Sequence, residues 1–385
     1  MGDKVRWGIL GCASIAMKNA AAIYDSPECE LSGVASRSQS KADQFVRDAG
    51  LPDTVIAYGG AGSYDDLLSE EWIDAVYIPL PTALHVEWVV KALERGKHVL
   101  VEKPAAISKA NLDLMMEAAE RNKRLLMDGV MFVHGLRNEK LREVLHPMRF
   151  GEVEKVESSF SFRGDQSFFD NNIRVSMEGD PLGCLGDLGW YCLRLSLIAF
   201  RVNESDSDVS PSSVKATCEK WQDGVPLDLT ATVYFEDGDA DPSESTATKR
   251  ATFNCSFNHT FDQRCTISAR ANRKGIQDHK ITMDDFVIPR NPASQSFQME
   301  TFNGALEDNA TRVMSTVETY TNGHDKQEEN MFSFFSIAVK EMAIAGALTH
   351  SAEKYERLSN DMYMTMQLCE RIMESAQNGG VEVMF

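Results

Sequence analysis

No run of apolar residues in this sequence approaches the roughly 20 that a membrane-spanning helix needs. None of the eight cysteines (Cys12, Cys29, Cys184, Cys192, Cys218, Cys255, Cys265 and Cys369) forms a C-x-x-C pair or falls at zinc spacing. Reduced thiols of a cytosolic protein are therefore the expectation. The eight histidines are scattered, and none stands with a carboxylate at ligand spacing, so no metal site is expected. Basic charge is also short: 39 Lys and Arg face 58 Asp and Glu, a formal net charge of −19. That balance excludes nucleic acid as a partner, and a polyanionic coenzyme needs a locally favourable pocket. No signal-peptide pattern precedes the strand-like Val5–Leu10, and Arg6 breaks the myristoylation pattern that Gly2 would begin. Cytosol is the expected location, with no membrane partner, and the sequons at Asn203, Asn254, Asn258 and Asn309 then go unused.

What is present points to a globular protein of two domains. The 385 residues exceed one ordinary core, and 43% hydrophobic with 25% charged residues is a folded composition. Over the first third, short apolar runs alternate with helical patterns. The runs are Val5–Leu10, Leu31–Ser36, Ala75–Leu80, His98–Val101 and Leu125–Asp128, with a weaker one near Val55–Ala57. Helices are expected at Ile15–Tyr24, Lys41–Ala49, Tyr64–Leu68, Leu84–Arg95 and Lys109–Asn122. This is the signature of βαβ units and a doubly wound parallel sheet, a Rossmann domain over residues 1–129.

Three stretches of that domain carry chemistry. The first strand runs into Gly11-Cys12-Ala13-Ser14-Ile15-Ala16, which fits G-x-G-x-x-G with alanine at the second and third glycines. Such a turn brings a helix N-terminus to a pyrophosphate, making Gly11, Cys12, Ala13, Ser14 and Ile15 cofactor-binding candidates. After the second strand come Ser36-Arg37-Ser38, with Lys41 beyond and no carboxylate to accept from a ribose 2′-hydroxyl. A guanidinium between hydroxyls suits a 2′-phosphate, so NADP is expected and NAD fits less well. The fourth strand ends in Pro79-Leu80-Pro81-Thr82, where Thr82 can cap the next helix. His85 falls in that helix's first turn, with both a structural role and a cofactor contact open to it. Lys97–Pro104 is the third stretch. A buried strand, His98–Val101, stops in Glu102-Lys103-Pro104, and packing requires no such ending. A lysine at the mouth of a parallel sheet stands where open α/β sheets bind ligands.

From residue 130 the pattern changes to an α+β domain reaching residue 385, with an open-faced, mostly antiparallel sheet and a last helix able to dock back on the Rossmann domain. A helix over Leu136–Leu145 precedes strands at Val153–Phe162, Val214–Trp221, Leu229–Phe235, Ala251–Phe257, Cys265–Ala271 and Ile281–Ile288. Their spacing leaves no room for crossover helices. The loops Asn203–Ser213 and Asp237–Lys249 carry no assigned role. One helix, Leu182–Phe200, interrupts the strands and puts Asp187 and Tyr191 on one face. Asp187 there can complement the helix dipole, pair with Arg194, or act on a substrate. Two amphipathic helices, Glu329–Leu348 and Leu358–Gln377, close the chain.

Gly11–Ala16, Pro81-Thr82-x-x-His85, Glu102-Lys103-Pro104 and Gly186-Asp187-x-x-x-Tyr191, in this order, resemble the Gfo/Idh/MocA oxidoreductases. The resemblance is nearest to the dihydrodiol dehydrogenase and D-xylose dehydrogenase branch, helped by Asn172-Ile173-Arg174-Val175. It implies a Rossmann domain followed by an open-faced sheet domain that often serves as a dimer surface, hence a homodimer. It implies that Lys103 lies beside the nicotinamide, with a cis bond before Pro104, and that Asp187 and Tyr191 supply the acid/base function. Glu102, Lys103 and the Pro79–Thr82 stretch with His85 then join the cofactor site. Arg174 and His134, with Asp187 and Tyr191, are the substrate candidates. The implied reaction is NADP-dependent hydride transfer at a hydroxyl-bearing carbon of a sugar or cyclic trans-diol. A reductase of a dicarbonyl or anhydro-sugar would use the same residues in reverse. A non-catalytic NADP-binding regulator is the alternative of another class. The two alanines in the fingerprint and the acidic insert at Asp237–Glu244 depart from the family pattern.

Overall fold

The computed structural model describes residues 4–237, 248–270, 277–291, 295–303, 312–320 and 326–385. Two compact units emerge: Met1–His134 with Lys326–Met366, and Gly135–Asp325 with Gln367–Phe385. Where the sequence suggests one cut after residue 129, the chain crosses back, and 326–366 pack with the first unit.

The first unit holds β1 (Val5–Leu10), α1 (Ser14–Asp25), β2 (Cys29–Ser36), α2 (Gln39–Asp48), β3 (Ile56–Gly59) and α3 (Ser63–Ser69). It continues with β4 (Ala75–Ile78), α4 (His85–Glu94), β5 (His98–Val101), α5 (Lys109–Asn122) and β6 (Leu126–Asp128). The six strands pair in parallel in the order β3-β2-β1-β4-β5-β6, the Rossmann sheet expected. β4 and β5 are buried at every residue, as strands covered on both faces must be. Strand order reverses between β1 and β4, so the ends of those two strands form the crevice where such sheets bind ligands.

The second unit begins with α6 (Leu136–Val144), α7 (Pro147–Phe150), β7 (Glu152–Arg163), α8 (Gln166–Asn171) and α9 (Trp190–Ala199). Then come β8 (Val209–Gln222), β9 (Val225–Asp237), β10 (Lys249–Ser256), β11 (Asn258–Arg270), β12 (Asp278–Met283), β13 (Gln295–Asn303), β14 (Arg312–Tyr320) and, at the chain end, β15 (Val383–Met384). They make a nine-stranded sheet in the order β14-β13-β12-β11-β7-β10-β9-β8-β15. All its pairs are antiparallel except β7 with β10. From Leu229 to Phe235, β9 alternates buried and half-buried residues, the mark of a sheet with one covered face.

Several expectations need correction. The strand expected through Ile288 stops at Met283. The next residues turn because the buried Arg137 guanidinium holds Asp285 through its carboxylate, at 2.6 Å, and its carbonyl, and also takes the Phe286 carbonyl. β13, β14 and β15 were not anticipated; in β13 and β14 polar residues fill most alternate positions, so no apolar periodicity marks them. From 238 to 247 the expected loop lies outside the described residues.

Helix α10 (Gln327–Ala345) packs in the first unit for a visible reason. Trp7 of β1 meets Phe332 edge-on at 5.1 Å and Phe335 at 5.6 Å, and its indole N–H donates to the Ser336 hydroxyl. Helix α11 (Ala352–Gln377) runs through the cut between the units. Its Tyr355 hydroxyl accepts from the Leu126 N–H at 2.8 Å and donates to the Leu126 carbonyl at 2.9 Å. One side chain thus occupies the open edge that β6 would otherwise present. Toward the other end, the Ser375 hydroxyl accepts from the Ala216 N–H on β8. No helix among the described residues is long and apolar enough to cross a membrane. All eight cysteines are free thiols.

His98 gives the first unit a pH-dependent stability. Its ring is buried, and Nδ1 accepts from the Leu125 N–H at 3.0 Å. Burial first, and the Arg124 charge second, push it down to about 3 from 6.5. Below pH 6.5 the unfolded chain therefore binds a proton that the folded chain refuses, so stability falls as pH drops. The loss is on the order of 2 kcal/mol by pH 5. Urea unfolding at pH 7 and pH 5 should show His98→Asn, which keeps an acceptor for Leu125, losing less than the wild type between the two. Equal losses would remove His98 from the balance.

Candidate active site

The sequence-derived site residues fall into two groups, one in each unit. In the first unit they gather at the carboxyl ends of β1, β2, β4 and β5. Gly11 follows β1 with φ +113°, a conformation L-residues rarely adopt, and a Cβ there would lie 2.8 Å from the Leu80 side chain. The backbone conformation is what calls for glycine. α1 starts two residues beyond Cys12, with Ala13 at its N-cap, no side-chain cap and no acid in its first turn. Its leading N–H groups are thus offered to whatever anion approaches, with the helix dipole behind them. The alanines at 13 and 16 do not disturb this turn: the Ala16 N–H closes on the Ala13 carbonyl at 3.0 Å. Ser14 and Ile15 are exposed beside it.

The end of β2 presents mixed chemistry. The Ser36 carbonyl accepts from the Ser63 hydroxyl, and burial pushes up the titration of the nearby Cys12 thiol. Ser38 caps α2, accepting from the Lys41 N–H and sharing a hydrogen with Ser40. Burial pushes the Tyr64 phenol up, and the guanidinium of the exposed Arg37 offsets part of that rise.

Beyond β4, Thr82 does not cap α4 as expected. Thr82–Leu84 form a 3₁₀ turn closed by the Leu84 N–H on the Pro81 carbonyl, and α4 begins at His85 without a side-chain cap. Pro81 fixes the extended residue that starts this tighter turn. His85 is 1% exposed. Its Nε2 lies 2.8 Å from the Leu80 carbonyl and its Nδ1 3.1 Å from those of Pro104 and Ala105. The ring therefore ties the loop after β4 to the loop after β5, a structural place for this candidate.

Lys103 sits between that tie and a second one. The Lys103–Pro104 bond is cis. Glu102 continues the sheet through its N–H on the Ile78 carbonyl, and its carboxylate turns back into the unit. There Oε1 accepts from the Tyr77 hydroxyl at 2.5 Å and from Asn19 Nδ2 at 3.3 Å, while Oε2 accepts from the Lys103 N–H at 3.2 Å. Neither Tyr77 nor Asn19 was marked by the sequence, since one reads as strand core and the other as helix. His134 ends a 3₁₀ turn, 2% exposed, with its ring 5.5 Å from that of Phe334 and its carbonyl accepting from Asn330.

The second unit assembles Arg174, Asp187 and Tyr191. The helix expected over Leu182–Phe200 is not continuous: Leu185–Gly189 form a π turn, and α9 follows. Such turns recur at functional sites. Glycines let it approach the sheet. At Gly183, φ is +50° and a Cβ would lie 2.3 Å from the Pro226 carbonyl; at Gly189 a Cβ would lie 3.2 Å from the Cys255 sulfur. Asp187, in the π turn, meets Arg174 Nε through Oδ1 at 3.1 Å. Arg174 comes from a 3₁₀ turn capped by Asn172. The Asp187 charge, with smaller help from Asp180 and Tyr191, raises the Arg174 guanidinium further. Tyr191 is 7% exposed, and its ring lies 5.7 Å from that of Phe160 on β7. A carboxylate, a guanidinium and a phenol in one cluster can hold and deprotonate a polyhydroxyl compound. No group of three or more His, Cys, Asp or Glu among the described residues could hold a metal.

Comparison with known proteins gives a consistent result. The chain is 35% identical over 193 residues to the dTDP-3,4-didehydro-2,6-dideoxy-alpha-D-glucose 3-reductase of Streptomyces violaceoruber, covering 50% of this chain and 53% of that protein. It is 31% identical over 233 residues to the D-xylose 1-dehydrogenase (NADP(+)) 2 of Haloferax volcanii, covering 60% and 66%. The chain thus spans about half the length of the first of these relatives. Among solved structures, a 3-ketoreductase from Actinomadura kijaniata in complex with NADP and TDP-benzene superposes with a TM-score of 0.71 over 98% of both chains, at 22% identity, which shows a shared fold. Residues 5–130 match the Gfo/Idh/MocA oxidoreductase family, with its NAD-binding Rossmann fold, and that part of the chain belongs to it.

Proposed function

We propose that this protein is an NADP-dependent oxidoreductase acting on a hydroxyl-bearing carbon of a sugar or cyclic trans-diol. The observation that carries the reading is Lys103, held at the carboxyl end of β5 by Glu102 on one side and by the His85 tie on the other. The turn at Gly11 and the uncapped start of α1 fit a dinucleotide pyrophosphate, and Ser36–Lys41 offer no carboxylate to repel a 2′-phosphate. A bound nicotinamide would supply or accept the hydride. Tyr191 takes the substrate hydroxyl proton in oxidation and returns it in reduction. A phenol titrating near 10 needs help to do so. The Lys103 ammonium gives it, by favouring phenolate and by balancing charge on the substrate oxygen. Asp187, tethered by Arg174, accepts from a neighbouring substrate hydroxyl, and Arg174 donates to another. His134 is nearly buried, which leaves Arg174 the better placed of the two polyol-gripping candidates.

Names of the relatives support both directions, since one is a dehydrogenase and the other a keto-sugar reductase. A homodimer through the nine-stranded sheet and a cytosolic location belong to the same proposal. The test is a screen of NADP⁺ reduction over aldoses, cyclitols and cyclic trans-diols, with NAD⁺ in parallel and NADPH oxidation by keto-sugars as the reverse arm. Turnover in either direction supports the reading. NADPH fluorescence that reports binding without turnover on any of them would favour a non-catalytic regulator.

Arg37 should set the coenzyme preference. A guanidinium on a phosphate contributes about 1.5–3 kcal/mol, roughly 10- to 100-fold in affinity. Arg37→Ala should lose that factor for NADP⁺ in fluorescence titration and keep its affinity for NAD⁺. An unchanged ratio would reduce Arg37 to a surface residue.

A further inference from the structure

We propose that Tyr77 is a positioning residue for Lys103, acting through the carboxylate of Glu102. This rests on the reading of Lys103 as the cation of the reaction, and its test separates the two ideas. Asn19 Nδ2 donates to the Tyr77 hydroxyl at 2.5 Å, and that hydroxyl donates to Glu102 Oε1, also at 2.5 Å. Glu102 Oε2 receives the Lys103 N–H. A directional chain therefore runs from α1, through the centre of β4, to the backbone of the residue after Glu102.

Each link has the chemistry for only this direction. Asn19 also donates to Glu102 Oε1, so its amide must face these groups with nitrogen; turned over, its oxygen would oppose a carboxylate. The phenol then accepts from Asn19 and gives its proton to Glu102. Both carboxylate oxygens meet donors, which glutamine could not match, because its NH₂ would face one of them. Gly129 completes the enclosure: a Cβ there would lie 3.3 Å from Glu102 Oε1. Tyr77 and Asn19 are 0% and 2% exposed, so water does not substitute for either. Packing adds rigidity, with the Tyr77 ring edge-on to Phe332 of α10 at 5.6 Å. A hydroxyl on the inside of the sheet thereby fixes the plane of Glu102, and Glu102 fixes the peptide that carries the Lys103 side chain. The outer side of the same loop is set independently, by His85.

The test uses the full chain labelled with ¹⁵N-lysine, the Lys103 amide being assigned by its loss in Lys103→Arg. Tyr77→Phe keeps the ring and its contact with Phe332 and deletes only the hydroxyl. Its Lys103 amide signal should move by more than its linewidth while other lysine amides stay in place. Glu102→Gln should move the same signal, and the double variant should move it no further than Glu102→Gln alone, because the two act in series. In turnover, Tyr77→Phe should lower kcat about tenfold and leave KM for NADP⁺ and for the sugar unchanged, a split that lost stability alone does not produce. A Lys103 amide that stays put in Tyr77→Phe, or shifts that add in the double variant, would overturn the proposal. The amide readout needs no turnover: should the wild type reduce no coenzyme with any sugar, the proposed activity falls while the signal still decides the role of Tyr77.

Discussion

Lys103→Met will lose three or more orders of magnitude in turnover and still bind NADPH. Methionine keeps most of the stem length and its apolar contacts while removing the charge. Three effects depend on that charge in the proposed chemistry: the proton affinity of Tyr191, the charge on the substrate oxygen, and the alignment of the reacting hydroxyl. Loss of a single preorganised donor to a developing oxyanion typically costs about 10²–10³. A cation that also tunes the general base should cost more. Coenzyme binding, by contrast, is assigned in the same proposal chiefly to the Gly11 turn, the start of α1 and Arg37. Steady-state rates and NADPH fluorescence on the same preparation check both halves. Near-normal activity in this variant would remove Lys103 from the chemistry.

Tyr191→Phe carries the second large effect. Phenylalanine preserves the ring against Phe160, so the π turn and α9 should keep their places. What disappears is the proton that, in the proposed chemistry, Tyr191 exchanges with the substrate. General acid–base groups contribute about 10²–10⁴, and turnover should fall within that range. More tellingly, the limb of the oxidation pH–rate profile that belongs to the phenol should vanish, leaving a rate that no longer rises with pH through that region. A slower enzyme with the wild-type profile would mean that the phenol only packs, and that another group moves the proton.

Much of the first unit could be read from the sequence because its signals are local. Continuous apolar runs such as Ala75–Ile78 and His98–Val101, bounded by helical periodicity, allow little besides a parallel sheet. Gly11 announced itself for the same reason, since its φ of +113° is a demand of the turn and not of anything distant. A closing helix returning to this domain was open from the sequence, but the seat of α10 was not legible, because it depends on Trp7 meeting Phe332, Phe335 and Ser336, residues more than 300 positions away. The strands β13 and β14 were missed because polar residues interrupt the alternation that marks a buried face.

The site divides the same way. Glu102-Lys103-Pro104 stood out as an ending that packing does not require. Asp187 and Tyr191 stood out only with the resemblance, because a helix bearing an acid is ordinary. Their local geometry escaped, since nothing in Leu185-Gly186-Asp187-Leu188-Gly189 distinguishes a π turn from an α-helix. The two glycines that let it approach β9 and β10, Gly183 and Gly189, could equally mark a frayed end. Asn19 and Tyr77 had no signal at all. Each satisfies the period of its own element, and the carboxylate that gives them a role lies 83 and 25 residues further on.

Transfer of a labelled hydride is the most direct measurement. The protein would be incubated with NADP⁺ and an aldose deuterated at C1, D-xylose first, and the recovered coenzyme analysed by mass and by proton NMR. Hydride transfer places the deuterium on C4 of the nicotinamide, on one face only, at a rate that collapses in Lys103→Met. Coenzyme that binds and is recovered unreduced and unlabelled, with every aldose, cyclitol and trans-diol offered, and NADPH that survives every keto-sugar, would contradict it.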